Sequence, residues 1–273
     1  MSPNPVVGWD FHDDAVVAAF DILGFKRIMS NATDLRTIAE KLSRLVKQAR
    51  GTAEERTVFQ FGGAQSSAEI RLVQASDTFI VYCQPSSSAD VIQFLWNVQQ
   101  LLFYAILDAF PLRGAITVGR VAAKPSEHLF IGPAILDALR LERIAEWAGA
   151  IVSQSLHQRL AELGLAGHLY PLLVSYVPPM KPQYADAVPR PCLCLNWLAD
   201  APNFISPDWV HPKFPEVNPE DAEYASVQGK VENTQTFMRE VIELAPFVGP
   251  ANRRMVLESR GEKGRLIRFV LDR

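Results

Sequence analysis

A chain of 273 residues with 48% apolar residue types is long and apolar enough to bury one substantial core, which excludes disordered and fibrous classes. Its net charge of −3, with no Lys/Arg run, offers no field for a nucleic acid, so any polyanion it takes is a small one. Cys83, Cys192 and Cys194 fit neither a disulfide framework nor a zinc site, and no apolar run approaches the ~20 residues of a membrane span, so a cytoplasmic protein is expected.

The chain opens with Asp10, His12, Asp13 and Asp14, unlike a signal peptide. Ala15 to Phe20 is a continuous apolar run that suits a strand buried on both faces, and it ends at Asp21. Leu35, Ile38, Leu42, Leu45 and Val46 repeat at helical spacing behind an N-cap from Asn31 or Thr33. Glu69 to Cys83 reads as two strands joined at Ala75-Ser76-Asp77, which puts Asp77 at a hairpin tip. A long apolar helix follows from Ser86–Ser88 to just before Pro111; Phe94, Trp96 and Phe103 on it read as core or interface. Arg113 to Val121 alternates like a strand, Gly132 to Trp147 returns to helical spacing, and Ala150 to Ser153 reads as a closing strand. From about Tyr170 to Pro219 the chain is rich in proline, and a helical stretch runs from Ala222 to Leu244.

Strand, helix, hairpin, helix, strand, helix, strand is the order of an α+β sandwich: a mainly antiparallel, ferredoxin-like sheet with helices on one face. The expected division is a core over 1–165 and, packed on it, a C-terminal region of strands and a helix over 166–273.

Two carboxylates stand where such a fold exposes strand ends. Asp21 closes the first strand and is followed by Ile22, Leu23, Gly24 and Phe25 at a turn into a helix, where Gly24 permits close backbone approach and free amides favour phosphate. Taken alone, Asp21 reads equally well as a cap, and Asp77 reads more readily as a turn former. The sheet makes the two neighbours, and two nearby carboxylates suit a pair of Mg²⁺ ions that draw their other ligands from substrate phosphates. His12, His128, His157, His168 and His211 show no ligand spacing.

The FDILGF segment, the Ser76-Asp77 hairpin, the strand LRGAITVG from Leu112 and the helix FIGPAILDALRLE from Phe130 together resemble the class III nucleotidyl cyclases, over roughly residues 15 to 155. The resemblance implies that Asp21 and Asp77 hold two Mg²⁺ or Mn²⁺ ions, with Ile22 contributing backbone to the metal site. It also implies that Ile22, Leu23, Gly24 and Phe25 cradle metal and phosphate, that Arg113 binds the triphosphate, and that Arg140 stabilises the pentacoordinate phosphorus across a homodimer interface. Without the resemblance, Arg140 is an exposed helix residue near Glu142 and Glu146. Leu136 departs from the family, standing where an asparagine usually contacts the ribose. Val73 and Leu129 occupy the purine-reading positions and match neither the adenylyl nor the guanylyl pattern.

Gly132-Pro133-Ala134, Val177-Pro178-Pro179-Met180-Lys181, Asn196-Trp197 and Glu232-Asn233-Thr234-Gln235-Thr236-Phe237 look like the Pycsar pyrimidine cyclases of bacterial antiphage defence. The implied activity is conversion of UTP to 3′,5′-cyclic UMP and pyrophosphate, read by a separate cyclic-nucleotide-sensing effector. The alternatives are a cytidylate cyclase and a catalytically silent nucleotide-binding module. Lys181 reads first as a surface lysine in a proline-rich loop, and second as a phosphate ligand.

Overall fold

The computed structural model describes residues 8–32, 34–49, 58–61, 63–127, 129–166, 169, 172–199, 205–244, 253–259 and 265–271. In chain order these form β1 (Asp10–Ile22), α1 (Phe25–Ser30), α2 (Leu35–Ala49), β2 (Val58–Phe61), β3 (Ala64–Gln65), β4 (Arg71–Ala75), β5 (Thr78–Cys83), α3 (Ser88–Leu107) and β6 (Leu112–Lys124). There follow β7 (Leu129–Ile131), α4 (Pro133–Ile144), β8 (Gly149–Val152), α5 (Gln154–Glu162), β9 (Leu173–Tyr176), β10 (Cys192–Leu195), α6 (Tyr224–Leu244), β11 (Arg253–Ser259) and β12 (Arg265–Leu271).

The main sheet runs β4-β5-β1-β6-β8-β10-β9, with β7 beside β6. Every pairing in it is antiparallel except β6 with β8. This is the α+β class with a mainly antiparallel sheet that the element order implies. β9 and β10, from the C-terminal region, continue that same sheet. A smaller sheet, β11-β12-β2-β3, was not foreseen from the sequence.

From Ala15 onward β1 is buried on both faces because its apolar run is unbroken. Val16, Ala18, Phe20 and Ile22 enter the larger core beneath α3, while Ala15, Val17 and Ala19 pack against Ala134, Ile135 and Ala138 of α4. The expectation of helices on one face is therefore corrected: α4 covers part of the second face. The physical reason lies in the small residues Ala15 and Ala19 on that side of β1, which let a helix approach the sheet closely. α4 stops at Ile144, and the Trp147 ring, expected at its end, is instead buried in the core.

Of the two caps foreseen for α2, Asn31 closes α1 and Thr33 lies outside the described residues. Asp34 does the capping, accepting from the Arg36 N–H at 2.9 Å and the Thr37 hydroxyl at 2.7 Å. α3 starts at a capping box in which the Ser87 side chain accepts from Asp90 N–H and Asp90 accepts from Ser87 N–H. Phe94 and Trp96 of α3 are buried in the core and Phe103 is half-buried.

α6 is fastened to the far end of the sheet by aromatic packing. The Phe237 ring lies 4.5 Å from Trp147, 5.0 Å from Tyr176 and 6.4 Å from Trp197, centroid to centroid. Asn233 donates to the Glu146 carbonyl at 2.8 Å, and Ala148 N–H donates to the Thr234 hydroxyl at 2.9 Å. A single helix thus closes over the segment that joins α4 to β8.

Candidate functional site

Asp21 is the penultimate residue of β1 and lies across from Thr78 on one side and Arg113 on the other. The β4–β5 hairpin turns tightly, pairing Ala75 with Thr78, with Ser76 in a left-handed conformation at φ 58°. Ile22 N–H donates to the Asp77 carbonyl at 3.1 Å, which fixes the hairpin tip to the end of β1. The two carboxylates expected at neighbouring strand ends are brought together here.

Beyond them the chain leaves the sheet. Leu23 N–H donates to the Pro111 carbonyl at 2.8 Å, and Gly24 turns the backbone at φ 74°. A Cβ on Gly24 would lie 2.5 Å from Pro215 Cγ, so both conformation and space demand glycine there. Of the four amides in 22–25, those of Ile22 and Leu23 are therefore committed to backbone carbonyls. The amides of Gly24 and Phe25 make no such bond among the described residues.

Asp21, Ile22, Leu23, Gly24, Phe25 and Asp77 all line one cavity of about 830 Å³. Its other wall comes from the C-terminal region, with Phe214, Pro215, Asp221 and Lys230. Arg27 clamps the two walls, donating to the Asp221 carboxylate at 2.6 Å and to the Glu216 carbonyl at 2.6 Å.

Arg113 sits behind the cavity with its side chain only 14% exposed. Its guanidinium reaches the Asp21 carboxylate at 3.1 Å, the Glu142 carboxylate at 2.6 Å and the Ala145 carbonyl at 3.3 Å. Burial pushes the Asp21 carboxyl up, Arg113 pulls it down and the neighbouring Asp77 carboxylate pushes it up again. Glu142 is likewise raised by burial, lowered by Arg113 and raised by Asp21. Asp21 and Glu142 share the Arg113 guanidinium and Asp77 adds a third carboxylate beside Asp21, a cluster whose negative charge a divalent cation would relieve. Among the described residues no group of three or more His, Cys, Asp or Glu is placed to hold a metal. An ion held by the Asp21–Asp77 pair would take its remaining ligands from phosphate and water.

Arg140 is apart from this cavity. It is exposed on the outer side of α4, lining a smaller cavity of about 190 Å³ with Thr117, Asp137, Ser153 and Tyr184. It also borders a groove of about 460 Å³ shared with Leu136, Arg143 and Lys181. Within one chain, then, Asp21 and Asp77 converge, Arg113 backs them, and Arg140 does not join them.

Glu142, Arg27 and Lys230 were not anticipated at the site. Glu142 had a visible signal: with Ile135 and Ala138 it falls on the buried side of its helix, an unusual place for an acid. Lys26-Arg27 directly follow the FDILGF segment and are legible as a basic pair. Lys230 had no local signal, since only the fold returns α6 to the end of β1.

No protein-family model matches the chain, and no curated protein matches it. Among solved structures it is similar to an adenylate/guanylate cyclase/hydrolase from Silicibacter pomeroyi, at 18% identity and TM-score 0.40, covering 68% of this chain and 96% of that one. A second is the monomeric guanylyl cyclase domain of the RhoGC fusion protein from the aquatic fungus Blastocladiella emersonii, at 15% identity and TM-score 0.40, covering 57% and 89%. A third is a class III adenylyl cyclase-like ATP-binding protein from Pseudomonas aeruginosa, at 12% identity and TM-score 0.36, covering 93% and 47%. Likenesses this remote carry no argument about activity, which rests on the residues of the site.

Proposed function

We propose that this chain is a class III-type nucleotidyl cyclase that converts UTP into 3′,5′-cyclic UMP and pyrophosphate. The observation that carries this reading is the convergence of Asp21 and Asp77 on one cavity large enough for a nucleotide. The two acids would hold Mg²⁺ or Mn²⁺, aided by the Ile22 carbonyl. Bound divalent ions supply Lewis-acid charge to the attacking 3′-oxygen and to the departing pyrophosphate.

In this reading the ribose 3′-OH gives its proton to solvent and its oxygen bonds to the α-phosphorus, while the bond from that phosphorus to the β-bridging oxygen breaks. The Gly24 and Phe25 amides face the phosphates. Arg113 balances Asp21 and Glu142 and adds positive charge behind the triphosphate. Because Arg140 lies outside the cavity of its own chain, the partner subunit's Arg140 completes the site in a two-fold homodimer. The pyrimidine preference rests on Val73 and Leu129, which present neither purine pattern, and the choice of UTP over CTP on the Pycsar-like motifs. A cyclic pyrimidine nucleotide would act on a separate effector in antiphage defence.

Leu136 favours a second reading, a silent nucleotide sensor. It is 68% exposed on α4 and offers a ribose no hydrogen bond. Incubating the protein with all four nucleoside triphosphates and Mn²⁺, and separating products by chromatography and mass spectrometry, decides between them. One cyclic pyrimidine nucleotide, abolished by Asp77→Asn, is the expected result. A cyclic purine would keep the cyclase and discard the base assignment. Nucleotide binding without any product would leave the sensor.

A further inference from the structure

Three basic side chains line the cavity that holds Asp21 and Asp77: Lys26, Arg27 and Lys230. Arg27 is committed to the Asp221 carboxylate and the Glu216 carbonyl. Lys26 is exposed. Arg113, behind the cavity, is held by Asp21 and Glu142. Lys230 differs from all of them.

Its side chain is 18% exposed, yet among the described residues its ammonium forms an ion pair only at long range, 3.8 Å from Glu146 Oε2. Its close contact is the Ser226 hydroxyl at 3.0 Å, one turn back on α6 and also on the cavity wall. Burial depresses its pKa, Glu146 opposes that, the nearby positive charges of Arg113 and Lys181 add to the depression, and Glu223 on the same cavity wall opposes it more weakly. A half-buried ammonium without a tight counter-ion is a group whose charge an incoming anion would satisfy. The stretch of α6 that carries it is anchored. Lys230 carbonyl accepts from the Thr234 hydroxyl at 2.7 Å, and Thr234 and Asn233 are themselves bonded to Ala148 and Glu146.

We propose that Lys230 is a substrate-binding residue: α6, from outside the core that carries the two aspartates, delivers the cation that grips the polyphosphate of the nucleotide. This deepens, and rests on, the reading of the cavity as a nucleoside triphosphate site. It assigns the C-terminal region a direct part in binding, so the aspartates and the lysine meet a ligand from opposite walls.

The test is calorimetric titration of the full chain with inorganic tripolyphosphate in the presence of Mn²⁺. Lys230→Met weakens binding by about 10-fold or more, the usual effect of removing one charged hydrogen bond. Lys230→Arg retains most of it. Glu146→Gln, which unpairs the ammonium without removing it, tightens binding severalfold, a change that a merely structural lysine would not produce. Thermal melts of each variant check folding. Unchanged affinity in Lys230→Met, or no tripolyphosphate binding by the parent chain, overturns the assignment, whatever nucleotide chemistry the protein performs. Loss in Lys230→Met with gain in Glu146→Gln upholds it even if no cyclic nucleotide is ever formed, in which case the cyclase reading alone falls.

Discussion

Asp21 shows how one side chain is pulled in two directions. Arg113, its cross-strand neighbour, stabilises the carboxylate, while burial and Asp77 disfavour the charge. A residue balanced in this way binds a cation readily and tolerates neutralisation, because removing its charge also relieves repulsion with Asp77. Asp21→Asn and Asp77→Asn are therefore each expected to weaken Mn²⁺ binding by about 10-fold or more while leaving the fold intact. Paramagnetic titration of Mn²⁺ checks affinity, and circular dichroism checks the fold; tight Mn²⁺ binding in both variants would dismiss the two-carboxylate site. Gly24 is constrained by geometry instead of charge. Gly24→Ala meets both a left-handed backbone cost of ~1–2 kcal/mol and the Pro215 ring, so stability and turnover should fall together.

At the scale of elements, α3 and α6 are held by different physics. The start of α3 depends on Asp90, which is 1% exposed. Burial alone would raise its carboxyl, but hydroxyls of Ser66 and Ser86 and the N–H groups of Ser86 and Ser67 outweigh that and bring it to about 2. A carboxyl lowered from ~3.9 contributes stability that is present in full above the unfolded value and disappears as pH falls through the folded one. Asp90→Asn should accordingly cost about 2 kcal/mol near neutrality and flatten the loss of stability between pH ~5 and ~2, as read by urea denaturation across pH. α6 is held by ring packing. Phe237→Ala should cost ~3–5 kcal/mol and, by loosening Lys230, weaken nucleotide binding as well; a stable variant with unaltered binding would separate α6 from the site.

For the whole molecule, the position of Arg140 gives the sharpest expectation. If a site combines Asp21 of one protomer with Arg140 of the other, Asp21→Asn and Arg140→Ala homodimers are both inactive. Mixing them equally after dissociation should restore about a quarter of the parent activity, since half the dimers then carry one intact site of two. No recovery on mixing, with exchange verified by mass spectrometry, would confine catalysis to a single chain.

The local patterns of this chain were legible because they depend on neighbours in sequence. The unbroken run from Ala15 to Phe20 dictated a strand buried on both faces, Ser76-Asp77 dictated a hairpin tip, and the helical spacing after Gly132 dictated α4. From these the α+β class and the pairing of Asp21 with Asp77 followed. The smaller sheet was not legible, because the pairing that assembles it joins β2 to β12 across more than 200 residues, as with Phe59 and Ile267, while β3 and β11 only add local antiparallel partners to those two strands. The same holds for Pro215 and Lys230, which only the fold brings to the end of β1. Sequence determined which residues could bear charge at a strand end; only tertiary structure decided which distant charges would face them, because burial and electrostatic partnership arise from folding the chain back on itself.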